Sequence, residues 1–377
     1  MGQAHDRIPA LDGLRGFAVL IVIISRFQPF PLAADGWLEH LWVGMVSLGY
    51  AGVDLFFVLS GFLITSILLK HRNSEHRFSA FYIRRALRIL PLYYGLCAIV
   101  LLAMPVIGRG PEDGGQAIFN LLFLQNFKGL LDIPEHMFLG VTWSLAIEEQ
   151  FYLVWPFLIW FLGPRRSFHV IVGVLAATVL CRTALYLNGV HVEKIYLWTV
   201  TRLDGITLGS ILALALAEPE RYRRLLAFFR RQTPWSIALV LAIAVVSAIT
   251  ATEHHIAFEP GMMLAGFLLV ALAFTGLVLR ALENERFARL FSFAPLRSCG
   301  RYSYAMYLIH TPVIITLGEV VHWRPLTIVL SLAVTYGLGA LSWWLVESRI
   351  LSLGRAFNYD APPAKPAGQL TPAGTAG

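Results

Sequence analysis

The sequence predicts an all-α polytopic membrane protein, a bundle of about ten transmembrane helices with both termini in the cytoplasm. Two features of the composition support this class: 57% of the 377 residues are hydrophobic, and only 14% are charged. A soluble domain carries about 25% charged residues. The third observation is that the apolar residues fall in long runs. A soluble core could not enclose this much apolar surface, so the expected solvent is the bilayer.

The apolar runs locate the predicted helices, because a helix needs about 20 mainly apolar residues to cross the hydrocarbon. The sixth run is short and the ninth is comparatively polar. The ten runs cover residues 9–27, 45–69, 89–108, 142–163, 168–187, 203–217, 235–251, 260–279, 303–321 and 326–346.

The basic residues predict the orientation. Most Lys and Arg lie at the two ends of the chain and in the loops that follow the even-numbered runs. The alternate loops hold only Arg109, Lys128, Lys194 and Arg324. Because cytoplasmic loops are enriched in Lys and Arg, both termini are expected in the cytoplasm, which requires an even number of crossings. The chain is therefore expected to be a multi-pass protein of the inner (plasma) membrane.

Other sequence signals exclude several kinds of site. The basic residues form no single face, so nucleic acid is not an expected partner. Cys97, Cys181 and Cys299 are isolated and form no paired motif, so neither a disulfide framework nor a zinc site is expected. No metal and no bound cofactor are predicted.

Ionisable residues inside the apolar runs are the candidates for chemistry, because each costs about 2.5–3.5 kcal/mol at the centre of a membrane helix. For Arg182, Arg202 and Asp204, near the ends of the runs, pairing with other charges is the favoured interpretation. The full set is Arg15, Arg26, Asp54, Glu148, Glu149, Arg182, Arg202, Asp204, His310 and Glu319.

The first run carries two of these groups on one face. Arg15 and Arg26 are eleven residues apart, which is three helical turns plus about 20° and a rise of about 16 Å. They are expected to line a polar path through the bundle, and Asp54 is a candidate charge partner for either arginine. Gly13 and Gly16 predict an edge that another helix or a ligand can approach closely.

Several segments recur in an order and at spacings that resemble a known family. The first run reads RIPALDGLRGFAVLIVIISRF, the second GYAGVDLFFVLSGFLIT, and the basic stretch after it FYIRRALRILPLYY. Later segments read TWSLAIEEQFYLVWP, GRYSYAMYLIHTP and WWLVESRI. Together they resemble the acyltransferase-3 family of integral membrane O-acyltransferases. The resembling domain covers residues 7–350, and residues 357–377, rich in Pro, Ala and Gly, are expected to form a disordered cytoplasmic tail.

The resemblance implies transfer of an acyl group, commonly acetyl, from cytoplasmic acyl-CoA. The implied acceptor is a hydroxyl of a cell-envelope glycan, an exported polysaccharide or a small molecule. Acyl-CoA serves as co-substrate, so no cofactor is implied. The expected partners are acyl-CoA, the hydroxyl acceptor and the lipid bilayer.

The donor-binding residues expected from this resemblance are three arginines. Arg84, Arg85 and Arg88 match the family's RRxxRIxP pattern, and guanidinium groups suit phosphate recognition. On charge alone, the same residues are explained by anchoring to the inner leaflet. Asp54 and Tyr152 are further candidates for substrate binding.

Four residues are candidates for catalysis. Arg15 is placed to stabilise the negative charge that develops on a thioester oxygen. Glu149 is a candidate for orienting an arginine or the acceptor hydroxyl, with a packing ion pair as the alternative. His310 is a candidate for proton transfer, although a lone membrane histidine is more often a structural hydrogen bonder.

Arg26, the fourth candidate, departs from the family pattern, in which Arg is followed after ten residues by a His thought to be the base. An arginine stays protonated and cannot accept a proton from a hydroxyl. Three explanations are open: a binding or regulatory member without turnover, a substitute base such as His310 or Glu149, or a variant of an otherwise normal enzyme. A transporter that uses the buried charges is a weaker alternative, because it does not explain the RRxxRIxP stretch.

Overall fold

The described part of the chain is helical in a computed structural model, which describes residues 8–27, 46, 48–107, 115–131, 133, 136–250 and 260–360. Three π-helical turns, Ile99–Ala103, Met262–Gly266 and Trp343–Glu347, adjoin longer helices. The α-helices are α1 Pro9–Ser25, α2 Ala51–Lys70, α3 Arg77–Ala98, α4 Gly115–Leu121, α5 Trp143–Leu187, α6 Val192–Leu197, α7 Asp204–Ala217, α8 Arg223–Thr250, α9 Phe267–Glu283, α10 Glu285–Phe291, α11 Ala294–Val320, α12 Arg324–Ser342 and α13 Ser348–Leu353.

Each of the ten predicted runs coincides with helix in the described residues. Among them, five helices are long and apolar enough to cross a membrane: Ala51–Lys70, Arg77–Val106, Gly140–Leu187, Met262–Glu283 and Arg324–Ala356. An all-helical protein with several long apolar helices is therefore confirmed. The number of ten crossings and the cytoplasmic placement of both termini stay predictions.

The fourth and fifth predicted runs correspond to the two halves of α5, which meet at Gly163. This residue has a φ of 77° and a ψ of 165°, so it breaks the helix between the halves. Pro164 follows it and disfavours helical backbone at the preceding residue. A Cβ at position 163 would also lie 2.8 Å from the guanidinium of Arg72, so glycine suits both the conformation and the space.

Helix α3 begins twelve residues before the predicted run, at Arg77 instead of residue 89. Its first three turns are basic and amphipathic, so an apolar-run criterion does not detect them. The helix places Arg84, Arg85 and Arg88 within an arc of about 100°, because successive residues are rotated by about 100°. These arginines therefore lie on one face of a helix.

Two closely packed helix pairs form the centre of the bundle. Helix α2 packs along α7, and α1 packs along α11. Glycines allow both contacts: a Cβ on Gly61 would collide with the carbonyl of Ile206, and a Cβ on Gly300 would collide with the carbonyl of Asp12. Gly16 faces α11 in the same way, which confirms the predicted small-residue edge of the first helix.

Two arginine–aspartate pairs connect the central helices. Arg182 donates to both carboxylate oxygens of Asp204, at 2.6 and 3.0 Å. Arg202 lies 3.0 Å from the carboxylate of Asp54. All four side chains are at most 1% exposed. The favoured interpretation of Arg182, Arg202 and Asp204 as paired charges is therefore confirmed.

The C-terminal tail predicted from residue 357 includes four residues that the structure describes. Phe357 and Tyr359 contact the region that precedes and begins α3, and Tyr359 is buried. The composition of this stretch did not indicate those contacts. Residues 361–377 lie outside the described residues.

Replacing Asp204 by Asn is expected to lower the free energy of unfolding by about 3–5 kcal/mol, because the change leaves the guanidinium of Arg182 buried without a countercharge. Thermal unfolding in detergent measures the effect. The matched control is Glu218→Gln, which removes the exposed pair with Arg221 and should change stability by at most about 1 kcal/mol. Equal shifts for both variants would contradict this assignment.

Candidate active site

A wide basic cavity of about 730 Å³ opens at the end of the bundle that the charge pattern assigns to the cytoplasm. This volume lies within the range of about 300–1,000 Å³ that is typical of ligand sites. Helices α1, α2, α3 and α11 and the segment after α12 contribute to its walls. Its charged lining in the described residues consists of Asp12, Arg15, Lys70, Arg84, Arg85, Arg88, Arg301, Glu347 and Arg355. The excess of positive charge suits an anionic ligand.

A second, narrower cavity of about 100 Å³ adjoins the first and extends into the bundle. The two cavities share Arg15, Arg85 and Arg88 in their linings. The polar part of the inner lining consists of Arg15, Ser60, Arg85, Arg88, Ser144, Glu148, Tyr152, Ser303, Tyr304 and Tyr307. We call the wide space the outer cavity and the narrow space the inner cavity.

All three arginines predicted to bind the donor line the outer cavity. The Nε of Arg84 donates to the carbonyl oxygen of Phe357 at 2.8 Å. The guanidinium of Arg85 lies 5.4 Å from the ring centre of Tyr152, which places it against the inner cavity. The structure thus brings the predicted arginines and Tyr152 together around one connected space.

Arg15 stands where the two cavities meet. Its guanidinium is 3.6 Å from the carboxylate of Asp12, one turn earlier on α1. It lies in the electrostatic field of Arg88 and of Glu148. The close contact between Gly16 and α11 fixes the position of this part of α1, so Arg15 is held at the junction.

A short chain of hydrogen bonds lies along the inner cavity. The hydroxyl of Tyr152 donates to Glu148 Oε2 at 3.2 Å, because a carboxylate oxygen accepts. Ser60 Oγ lies 2.7 Å from the same tyrosine hydroxyl and can donate to it. The arrangement connects a small hydroxyl, a phenol and a carboxylate, and Arg15 and Arg85 lie close enough to act on that carboxylate.

Glu148, and not the predicted Glu149, lines the inner cavity. Glu149 lines neither cavity, and its Oε1 is buried without a hydrogen-bond partner among the described residues. Arg85 and Glu148 act on it electrostatically. One signal in the sequence could have found Glu148, since it precedes Tyr152 by four residues and so shares its helical face.

His310 lies beyond the inner cavity, one helical turn after Tyr307. Its ring centre is 5.6 Å from that of Tyr307, and its side chain is fully buried. Nδ1 lies 2.6 Å from the carbonyl oxygen of Tyr307, which can only accept, so Nδ1 carries the proton. Nε2 is then an acceptor, and it has no hydrogen-bond partner among the described residues.

Arg26 ends α1 and is exposed. Arg26 lines neither the outer nor the inner cavity. These two cavities therefore do not form the predicted polar path from Arg15 to Arg26. The charge of Arg26 does act on His310 and on Tyr307. A cation at the C-terminal end of a helix is also favoured by the helix dipole, which gives this arginine a structural role.

Asp54 is not part of this arrangement. The expectation that it pairs with Arg15 or Arg26 was wrong, because its partner is Arg202. The guanidinium of Arg202 also lies 3.8 Å from the ring centre of Phe267. Asp54 lines neither cavity, since it points from α2 towards the start of α7 and not towards α3.

The chain is similar to known acyltransferases over most of its length. A family model described as an acyltransferase domain, that of acyltransferase 3, matches residues 8–345. The peptidoglycan O-acetyltransferase OatA of Listeria monocytogenes is 30% identical over 374 residues, which cover 92% of this chain and 56% of that protein.

Two further relatives have similar coverage. The putative peptidoglycan O-acetyltransferase YrhL of Bacillus subtilis is 31% identical, over 94% of this chain and 57% of its own length. The O-acetyltransferase OatA of Staphylococcus aureus is 28% identical, over 93% of this chain and 58% of its own length. The chain thus spans little more than half the length of these relatives. No solved structure matches it. The family match over most of the chain, together with its long apolar helices, shows that it belongs to the acyltransferase-3 family of membrane O-acyltransferases.

Proposed function

We propose that the chain transfers an acyl group, acetyl in the first instance, from cytoplasmic acyl-CoA to a hydroxyl of a cell-envelope glycan. The observation that carries this proposal is the pair of connected cavities. A broad basic space leads past Arg15 into a narrow space lined by hydroxyl groups and a carboxylate. The basic outer cavity and the polar inner cavity, in this order, suit a ligand with phosphates at one end and a reactive thioester at the other.

The outer cavity supports the donor part of the proposal. Arg84, Arg85 and Arg88 offer guanidinium groups from one helical face, and such groups bind phosphates through charge-assisted hydrogen bonds. The pantetheine arm of acyl-CoA would then extend towards the inner cavity. Because Arg85 and Arg88 line both spaces, they would contact the donor where it enters the narrow part.

Arg15 is placed to stabilise the reaction at the neck between the cavities. Attack of the acceptor hydroxyl on the thioester carbonyl forms a C–O bond and gives a tetrahedral oxyanion. The hydroxyl proton passes to a base during the attack. Breaking the C–S bond then yields the ester and the thiolate of CoA, which takes that proton back from the base and leaves as the free thiol. A fixed guanidinium beside the carbonyl stabilises the oxyanion without reorganisation.

For proton transfer we propose His310, which lies directly behind Tyr307 of the inner cavity, as the substitute for the histidine that the family has at the position of Arg26. The proton on Nδ1 of His310 is bonded to Tyr307, which leaves the lone pair of Nε2 as the acceptor. Glu148 and Tyr152 line the space in which the acyl group would lie. Glu149 lies within the electrostatic influence of Arg85 but lines neither cavity, so it is given no part in the reaction.

The relatives support the proposed class of acceptor. Two of them are named as peptidoglycan O-acetyltransferases, one of these as putative. We therefore propose a glycan hydroxyl at the outer face of the plasma membrane as the acceptor. In this proposal the chain is a multi-pass protein with both termini in the cytoplasm, and the donor and acceptor reach the inner cavity from opposite sides.

A second candidate function is a binding or regulatory protein that holds acyl-CoA without turnover. The observation that favours it is Arg26, a permanent cation at the position of the family's histidine. The cavities that support donor binding are the same in both cases, so turnover distinguishes the two functions.

The purified protein in detergent is expected to release thiol from acetyl-CoA, and Arg15→Ala should lower kcat by about 10²–10³-fold, because an oxyanion-stabilising donor is lost. Detection of free thiol measures this rate. Arg166→Ala, which changes an exposed arginine outside both cavities, is the control and should leave the rate unchanged. Tight binding of CoA with no turnover in the parent protein would favour the second candidate function.

Arg85→Gln and Arg88→Gln are each expected to weaken the binding of CoA about tenfold or more, because each removes a charge-assisted contact of about 1.5–3 kcal/mol. Titration calorimetry at two salt concentrations measures the dissociation constant and its salt dependence. Arg224→Gln is the matched control, since this exposed arginine lies outside the cavities. A loss of affinity of the same size in the control would show that general positive charge is responsible.

Arg26→His is expected to raise the rate of acyl transfer, because it supplies an imidazole at the position of the family's base. The control is Arg26→Gln, which removes the charge near His310 without adding a base. If Gln and His raise the rate equally, the gain comes from relieving the field at His310. If neither raises it, position 26 is not the missing base.

A further inference from the structure

The segment that follows α13 lies across the rim of the outer cavity. It runs from Gly354 to Asp360, and its backbone is attached to the start of α3 at two points. The carbonyl of Phe357 accepts from Arg84 Nε at 2.8 Å. The carbonyl of Tyr359 accepts from the backbone N–H of His76 at 3.0 Å. We call this segment the C-terminal strap.

Tyr359 is the side chain that packs the strap against the cavity. Its ring is stacked on that of His71, with centres 3.8 Å apart and planes 9° from parallel. The guanidinium of Arg84 lies 5.0 Å from the centre of the same ring. Tyr359 is 8% exposed, and all three side chains line the outer cavity. One ring thus contacts two basic side chains from different parts of the chain.

We propose that Tyr359 is a positioning residue of the donor site, which holds His71 and Arg84 in the orientation that binds the phosphorylated nucleotide end of the donor. This inference rests on the proposed function, in which acyl-CoA occupies the outer cavity. It assigns a binding role to a segment beyond the matched family domain, which ends at residue 345.

The physical basis is preorganisation. A free arginine samples many rotamers, and ordering such a side chain on binding lowers affinity. The ring of Tyr359 and the carbonyl of Phe357 order Arg84 before the ligand arrives. The stacked ring does the same for His71. Losing the ring should therefore weaken donor binding without altering the reacting groups, which lie at the opposite end of the cavities.

The test compares three variants of the full chain. Tyr359→Ala removes the ring, and Tyr359→Phe keeps the ring and removes only the hydroxyl. Asn358→Ala is the matched control, since it removes an exposed side chain that belongs to the same strap and lines neither cavity. Calorimetry gives the dissociation constants of CoA and of adenosine 3′,5′-bisphosphate, which isolates the nucleotide end. Steady-state kinetics with acetyl-CoA gives KM and kcat separately.

We expect Tyr359→Ala to weaken the binding of both ligands about threefold to tenfold and to raise KM by the same factor, with kcat unchanged. Tyr359→Phe and Asn358→Ala should match the parent. Unchanged affinity in Tyr359→Ala would overturn the inference, and tighter binding would overturn it in favour of a strap that obstructs the cavity. A loss of affinity in Tyr359→Phe as large as in Tyr359→Ala would also contradict a role for the ring.

A parent protein that binds neither CoA nor adenosine 3′,5′-bisphosphate would overturn the donor assignment itself. This outcome separates failure of the proposed function from failure of this inference.

Discussion

The close contact between α1 and α11 determines where Arg15 lies, and the candidate site is arranged around that guanidinium. Gly16 and Gly300 remove the side chains that would otherwise separate the two backbones. The contact leaves Arg15 at the junction of the outer and inner cavities. A larger residue at either glycine would move α1 away from α11, and Arg15 would move with it. In the described residues, Arg15 is the only charged residue of α1 that lines both cavities.

Two groups of charged residues in the bundle have different physical consequences. Arg182 with Asp204, and Arg202 with Asp54, neutralise one another at the centre of the bundle. Arg15, Arg85 and Glu148 instead line a space that a ligand can occupy. A charge in an apolar medium needs a partner or a polar cavity. The paired charges therefore stabilise the packing of α2, α5 and α7, while the others remain available for chemistry.

Much of the candidate site was predictable from local patterns. The RRxxRIxP stretch indicated the three arginines, and helical periodicity places Arg84, Arg85 and Arg88 on one face once α3 is known to begin at Arg77. Gly13 and Gly16 indicated a close helix contact, which the structure has. The choice between Glu148 and Glu149 was not predictable in this way. Adjacent residues differ by about 100° in direction, and the rotation of α5 about its axis depends on the helices packed against it.

The sequence by itself predicted the membrane class, the helical runs, the family and the candidate donor-binding arginines. All of these depend on composition or on residues close together in the chain. The tertiary structure decided which charges pair, which glutamate faces the cavity and where the C-terminal strap lies. Asp54 and Arg202 are 148 positions apart in the sequence, and Tyr359, near the other end of the chain, stacks on His71. Such contacts depend on the packing of whole helices, which no local periodicity encodes.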